Sequence, residues 1–133
     1  RCFTFIGKEI LLRKQYAISD FINSIKSKNK IVVKNPLSTR SYMNPIDLSE
    51  WLLTIASKSN SLYQIVNVGS DHEINMKNLS KKISKKYDRN SQVFFKANKD
   101  KDYYVPTIQK AKIKFRLRNR FSFDKSLDDI LNI

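Results

Sequence analysis

Apolar and polar positions alternate between two periods along this chain, and each switch marks a short segment. Residues 2–6 form an apolar run closed by Gly7, which reads as a buried strand. Phe21, Ile22 and Ile25 recur at helical spacing behind Ser19, so a helix capped by Ser19 is predicted through about Lys28. Ile31-Val32-Val33 is β-branched throughout and predicts a strand. Asn35-Pro36-Leu37-Ser38 reads as a turn, and residues 39–43 as extended chain. A well-signalled helix start follows, with Asn44 as cap, Pro45 at the first helical position and Asp47 placing a negative charge in the first turn. Leu48, Trp51, Leu52 and Ile55 continue it as one apolar stripe, and the polar residues 57–61 end it.

The second half repeats the alternation. Residues 62–68 read as a buried strand ended by Gly69-Ser70. Asn75 caps a helix with Met76, Leu79, Ile83 and Tyr87 facing inward. Gln92–Phe95 reads as a strand and residues 97–103 as a charged loop. Thr107 opens a short helix after Pro106, and Ser122 caps a last one carrying Leu127, Ile130 and Leu131. Residues 112–118 alternate basic and apolar with period two, which taken alone predicts a basic strand face. Alternating strands and helices place the chain in the α/β or mixed α+β class.

Composition narrows this picture. At 133 residues and 41% hydrophobic, the chain has the size and apolar content of one packed domain. Only 2 Gly and 3 Pro are present, so Asn and Ser must carry many turns. A lone Cys2 excludes an internal disulfide and fits a reducing cytoplasm; lying in an apolar run, it reads as a small core residue rather than a nucleophile. His72 has no Cys or His partner at ligand spacing, so it reads as a solvated loop residue and no metal site is expected. No stretch approaches the ~20 apolar residues of a membrane span. The chain opens at Arg1, without Met, directly into a core-like strand, and is therefore read as a fragment of a longer polypeptide.

The net charge of +14 asks for an anionic partner. Most of the excess is Lys, and Asn and Ile are abundant too, which is what AT-rich coding gives without selection for binding. A basic nucleic-acid-binding module stands as an alternative on this charge and on two clusters, residues 112–118 and the helix bearing Lys77, Lys81, Lys82, Lys85 and Lys86. The helical cluster reads first as a solvated polar face, and no stacking aromatics stand in an RNA-binding pattern.

Five segments, in order, carry a resemblance. Arg1-Cys2-Phe3-Thr4-Phe5-Ile6-Gly7 looks like a strand of the form Arg-x-Phe-Asn-x-Tyr-Gly. Ile31-Val32-Val33, then Thr39-Arg40-Ser41-Tyr42, then Ile46-Asp47-Leu48 is similar to a hydrophobic strand, an Arg, an aromatic and an Asp-leading helix. Val66-Asn67-Val68-Gly69-Ser70 looks like the strand end Tyr-Asn-Val-Gly-Ser, and residues 74–83 like the helix that follows it. Lys110-Ala111 with residues 122–127 is similar to a closing Pro-Asp-x-x-Lys-Ala helix and a last helix. This order resembles the second half of the extended short-chain dehydrogenase/reductase family, the NAD-dependent nucleotide-sugar epimerases and dehydratases. Thr4, Ile6, Thr107 and Arg116 depart from it, standing where Asn, Tyr, Asp and Gly are usual.

The resemblance implies an α/β fold: the last strands of a Rossmann-type sheet plus a small mixed α/β substrate-binding lobe. Residues 1–133 would be a single carboxy-terminal piece of a two-lobed enzyme, with the NAD-binding part absent. It implies that Arg40 contacts the diphosphate or nucleotide, its guanidinium fork matching phosphate oxygens. Val32 and Val33 would offer backbone groups to the nucleobase, and Thr4 would take the sugar-side position. The loop 97–103 carries Lys99 and Lys101 but no Arg, so it offers no second bidentate clamp. Asp47 reads as a helix-dipole charge rather than an anchor of the Arg40 segment, Asn67 as a tie on the Gly69 turn, and Trp51 as core. By the resemblance, residues 112–118 would instead end a helix and enter an irregular turn.

NAD or NADP belongs to the whole protein in this reading and none is held here, because a dinucleotide needs a Gly-rich turn. The family's catalytic Tyr has a Lys four positions on. Tyr16, Tyr42, Tyr63, Tyr87, Tyr103 and Tyr104 are followed there by Asp20, Ile46, Asn67, Ser91, Thr107 and Ile108. The expected role is therefore nucleotide-sugar binding without chemistry, in a cytoplasmic enzyme of polysaccharide biosynthesis. Its partners would be the sugar nucleotide and the missing Rossmann half, with self-association through unpaired strands. A non-catalytic scaffold derived from the family is the remaining alternative.

Overall fold

The structure, a computed structural model, describes residues 1–13, 15–28, 30–60, 65–87 and 90–131. In chain order these form a 3-10 turn at Lys8–Leu12, helix α1 at Ala17–Lys28, strands β1 at Lys30–Val33 and β2 at Thr39–Ser41, and helix α2 at Pro45–Lys58. Strand β3 at Glu73–Asn75 leads directly into helix α3 at Met76–Tyr87, followed by β4 at Gln92–Phe95, β5 at Tyr103–Tyr104, α4 at Gln109–Phe115 and α5 at Phe123–Leu131.

Strands β1 and β4 pair in parallel, Lys30 opposite Gln92 and Val33 opposite Phe95. A second sheet has the order β3-β2-β5: β2 runs antiparallel to β3 and parallel to β5, with Arg40 opposite both Ile74 and Tyr104. The side chains divide into two cores. One gathers Ile18, Ile22, Ile31, Val33, Leu79, Ile83, Leu127 and Ile130 from α1, β1, α3 and α5. The other gathers Met43, Trp51, Val66, Val68, Ile108, Ala111 and Phe115 around α2 and α4.

Residues 1–6 stitch the two cores together, and here the expected strand is corrected. The segment is extended but makes only isolated parallel bridges, Cys2 with Val68 and Phe5 with Met43. Its partner changes midway: the Phe3 amide donates to the Val68 carbonyl at 2.8 Å, whereas the Ile6 amide donates to Met43 at 2.9 Å. A ladder cannot build where the neighbour switches within three residues. The strand expected at 62–68 is likewise reduced: residues 62–64 lie outside the described residues, 65–67 are irregular, and Val68 alone bridges. Cys2, expected in the core, is exposed.

Local signals were sound where they were self-contained. Asn44 accepts from the Ile46 amide at 2.9 Å, Asn75 from Asn78 at 2.8 Å and Ser122 from Lys125 at 3.1 Å, each a working cap. Ser19 is not one. It lies inside α1, wholly buried, with its hydroxyl donating to the Ile10 carbonyl at 2.6 Å. Thr107 does not open α4 either; Ile108 occupies the cap position, and the Thr107 carbonyl accepts from Asn67 Nδ2 at 3.0 Å. Asn67 thus ties the 107 segment rather than the Gly69 turn. Leu52 is exposed, so the α2 stripe is Leu48, Trp51 and Ile55.

The alternating run at 112–118 resolves as the resemblance implied. Helix α4 ends at Phe115, Arg116 turns left-handed at φ 57° and ψ 32°, and Leu117 drops into the second core. The period of two was the last helical turn meeting an irregular one.

Candidate functional site

Strand β1 alternates in burial, Ile31 and Val33 facing the first core and Val32 turned outward. Strand β2, in the second sheet, carries Arg40 half-buried, and Thr4 comes from the extended segment at residues 1–6. Between them opens a cavity of about 730 Å³, within the range usual for small-molecule sites. Thr4, Val32, Val33 and Arg40, the four residues singled out from the sequence, all line it. Ile31 and Val33 pack the core, as the core-strand reading expected, while Val32 lines the cavity. The Val33 carbonyl is taken by the Lys96 amide at 2.9 Å.

Arg40 is held on several sides. Its Nη1 donates to the Thr39 carbonyl at 2.8 Å and to the Asp102 carbonyl at 3.3 Å, and Nη2 pairs with the Asp102 carboxylate. The guanidinium lies 5.9 Å from the centre of the Tyr104 ring, and Phe3 stacks on that ring at 4.7 Å. A cation is thus laid over an aromatic face at the cavity mouth, where a planar fork suits phosphate oxygens. Tyr42 lies deeper, 6% exposed; burial pushes its phenol well above the usual range, against the opposing pull of the Arg40 charge.

A second cavity, about 550 Å³, adjoins the first and shares Thr4, Tyr16 and Tyr104 with it. Thr4 therefore borders both spaces. Sequence reading missed Asp102, Tyr104 and Tyr16. Asp102 had one weak signal, an acid in a Lys-rich loop; its partnership with Arg40 spans 62 positions and has no local trace.

Asp47 was misjudged. It is 1% exposed, and its carboxylate accepts from the amides of Arg120 and Phe121 at 3.0 and 3.1 Å and from Arg120 Nε at 3.5 Å. It anchors the irregular segment between α4 and α5, a larger role than a dipole charge. Trp51 is core, with its indole N–H donating to the Arg118 carbonyl at 3.3 Å.

The basic face of α3 is not simply solvated. Lys82 pairs with Asp124 at 2.7 Å, Lys86 with Asp128, and the Lys77 and Lys81 ammonium groups lie about 6 Å from the Phe95 ring centre. Elsewhere Lys112 donates to Asp71 at 2.6 Å; burial works to raise that carboxyl, but Lys112 outweighs it and holds it below the usual range. Cations occupied this way are poorly placed to line up on a nucleic-acid backbone. His72 is exposed.

Neither of the two glycines lies open to a dinucleotide pyrophosphate. A Cβ on Gly7 would stand 2.8 Å from Pro45 Cγ, and one on Gly69 would stand 2.9 Å from Pro106 Cγ and 3.0 Å from Phe3 Cβ. Both glycines allow a close approach of packed side chains. Among the described residues no helix is long and apolar enough to cross a membrane.

No family model and no curated relative matches the sequence. Solved structures do match the fold. An epimerase from Methanothermobacter thermautotrophicus superposes with a TM-score of 0.84 at 16% identity, over 99% of this chain and 41% of that one. The dTDP-glucose 4,6-dehydratase of Bacillus anthracis, in complex with NAD, gives 0.83 at 14% identity, over 99% and 42%. The UDP-glucuronic acid 4-epimerase of Bacillus cereus, holding a fluorinated UDP-sugar and NAD, gives 0.81 at 15% identity, over 99% and 43%. The chain spans less than half the length of each, and over that span it has the α/β fold of these epimerases and dehydratases, as the sequence resemblance implied.

Proposed function

We propose that this chain is the nucleotide-sugar-binding portion of an NAD- or NADP-dependent epimerase or dehydratase of the extended short-chain dehydrogenase/reductase family. One observation carries the reading: Thr4, Val32, Val33 and Arg40, chosen by resemblance alone, converge on a single cavity. Arg40 would take the diphosphate, the β1 backbone around Val32 and Val33 the nucleobase, and Thr4 the sugar beside the second cavity. The cofactor and the hydride chemistry belong to the rest of the protein, a reading supported by the absence of a Tyr-x-x-x-Lys motif in the sequence and by the packed glycines. The missing Rossmann half would pair along residues 1–6; without it, those residues would drive self-association, which light scattering would report as species larger than a monomer. We place the enzyme in the cytoplasm, in polysaccharide biosynthesis.

Isothermal titration with a panel of nucleotide sugars tests the assignment. At least one should bind, and Arg40→Ala should weaken it about 10- to 100-fold, the size of a lost charge-assisted fork. Absence of binding across the panel, or an unchanged affinity in Arg40→Ala, would overturn it.

A further inference from the structure

Among the described residues, those lining the main cavity with a charge are Asp20, Lys34, Arg40 and Asp102, two of each sign. Arg40 and Asp102 spend their charges on each other. We propose that Asp102 is a competing anion for the ligand: its carboxylate holds the place on Arg40 that a diphosphate takes, and binding turns it out to solvent. The proposal rests on the nucleotide-sugar reading for the identity of the diphosphate and on this chain's own contacts for the competition.

Three features make Asp102 displaceable while Arg40 stays in place. The backbone of Asp102 is pinned: the Thr39 amide donates to its carbonyl at 2.7 Å, its own amide reaches Ser38 Oγ at 3.4 Å, and the next two residues pair with β2. Only the side chain needs to move, and it is 65% exposed, so it rotates directly into water. Arg40 keeps its position without that carboxylate, because Nη1 is bonded to two main-chain carbonyls and the guanidinium rests over Tyr104. An ion pair this exposed favours its closed form by only about two- to fivefold. A diphosphate brings at least twice the charge and more oxygens to the same fork, so it wins the exchange. The closed pair lowers affinity for every ligand that needs Arg40 and leaves ligands that do not need it untouched. Asp102 thus imposes a common cost on every occupant of the phosphate position, which is met only by one that pairs strongly with Arg40.

The test uses inorganic pyrophosphate titrated calorimetrically into the protein, its Asp102→Asn, Arg40→Ala and double variants, with circular dichroism verifying the fold of each. Asp102→Asn should bind about three- to tenfold tighter, combining release of the pair with loss of a nearby negative charge. In the Arg40→Ala background the same change should gain about twofold or less, since only the repulsion remains to be relieved. Equal or weaker binding by Asp102→Asn would make Asp102 a positioning residue and overturn the proposal; so would failure of every variant to bind pyrophosphate. Parallel titrations with nucleotide sugars keep the two readings apart. A pyrophosphate gain with no nucleotide sugar bound sinks the function and leaves the competition standing, whereas sugar-nucleotide binding without the gain does the reverse.

Discussion

Replacing Asp47 by Ala should cost about 3–5 kcal/mol of folding stability, far more than a first-turn helix charge is worth. The carboxylate is 1% exposed and accepts two main-chain amides, from Arg120 and Phe121, in a stretch without regular structure. Each amide left unpaired in the interior costs about 1–3 kcal/mol, which for two of them centres near about 4 kcal/mol. The guanidinium of Arg120 adds little, because it is 55% exposed, lies 3.5 Å from Asp47 and also pairs with Glu50. Asp47→Asn keeps one oxygen for the two amides but turns an NH₂ towards the guanidinium, for an expected loss of about 1–2 kcal/mol. Arg120→Ala keeps both amides and should cost less than about 1 kcal/mol. Urea unfolding followed by circular dichroism reads all three. A helix-dipole role would give only about 0.3–1 kcal/mol for either Asp47 change. The reasoning is refuted if Asp47→Ala lies within about 1 kcal/mol of wild type, or if Arg120→Ala costs as much as Asp47→Ala.

Two further outcomes are expected. Burial raises the Tyr42 phenol above its ordinary pKa of about 10, so its contribution is fully present below pH 10 and is lost as the pH rises above it, because the unfolded chain ionises first. The decline should approach about 1.4 kcal/mol per pH unit and be absent from Tyr42→Phe, as alkaline urea titrations would reveal. Arg116→Gly should stabilise by about 0.5–1 kcal/mol: a left-handed non-glycine residue costs about 1–2 kcal/mol, and glycine's greater unfolded entropy returns part of it. A lowered urea midpoint would count against this.

What was legible in the sequence was what a few adjacent residues decide. Asn44-Pro45 and Asn75 announce their helices because cap and helix lie within three positions, and Ile31-Val32-Val33 announces β1 by β-branching alone. The β3 and β5 strands have three and two residues and exist only because β2 lies between them; so short a run has no period to detect. Ser19 misled because a hydroxyl before an apolar stripe looks like a cap, whereas its partner is a carbonyl nine residues back. Cys2 misled because an apolar run says nothing of whether both faces find cover. The site residues were reachable through order and resemblance, but Asp102 and Asp47 act across 62 and 73 positions, and only the folded chain brings their partners near.

The segment at residues 1–6 has a mechanical consequence. Its main chain is tied to Val68 and to Met43, both of the second core, while the Ile6 side chain packs in the first, and the Thr4 carbonyl between them accepts from Met43 at 3.1 Å. Any relative slip of the cores must shear this strip, and any ligand pressing on Thr4 pulls on both anchors. Occupancy of the cavities beside Thr4 would therefore stiffen the molecule as a whole, and slower amide exchange should spread to both cores, well beyond the residues a ligand touches.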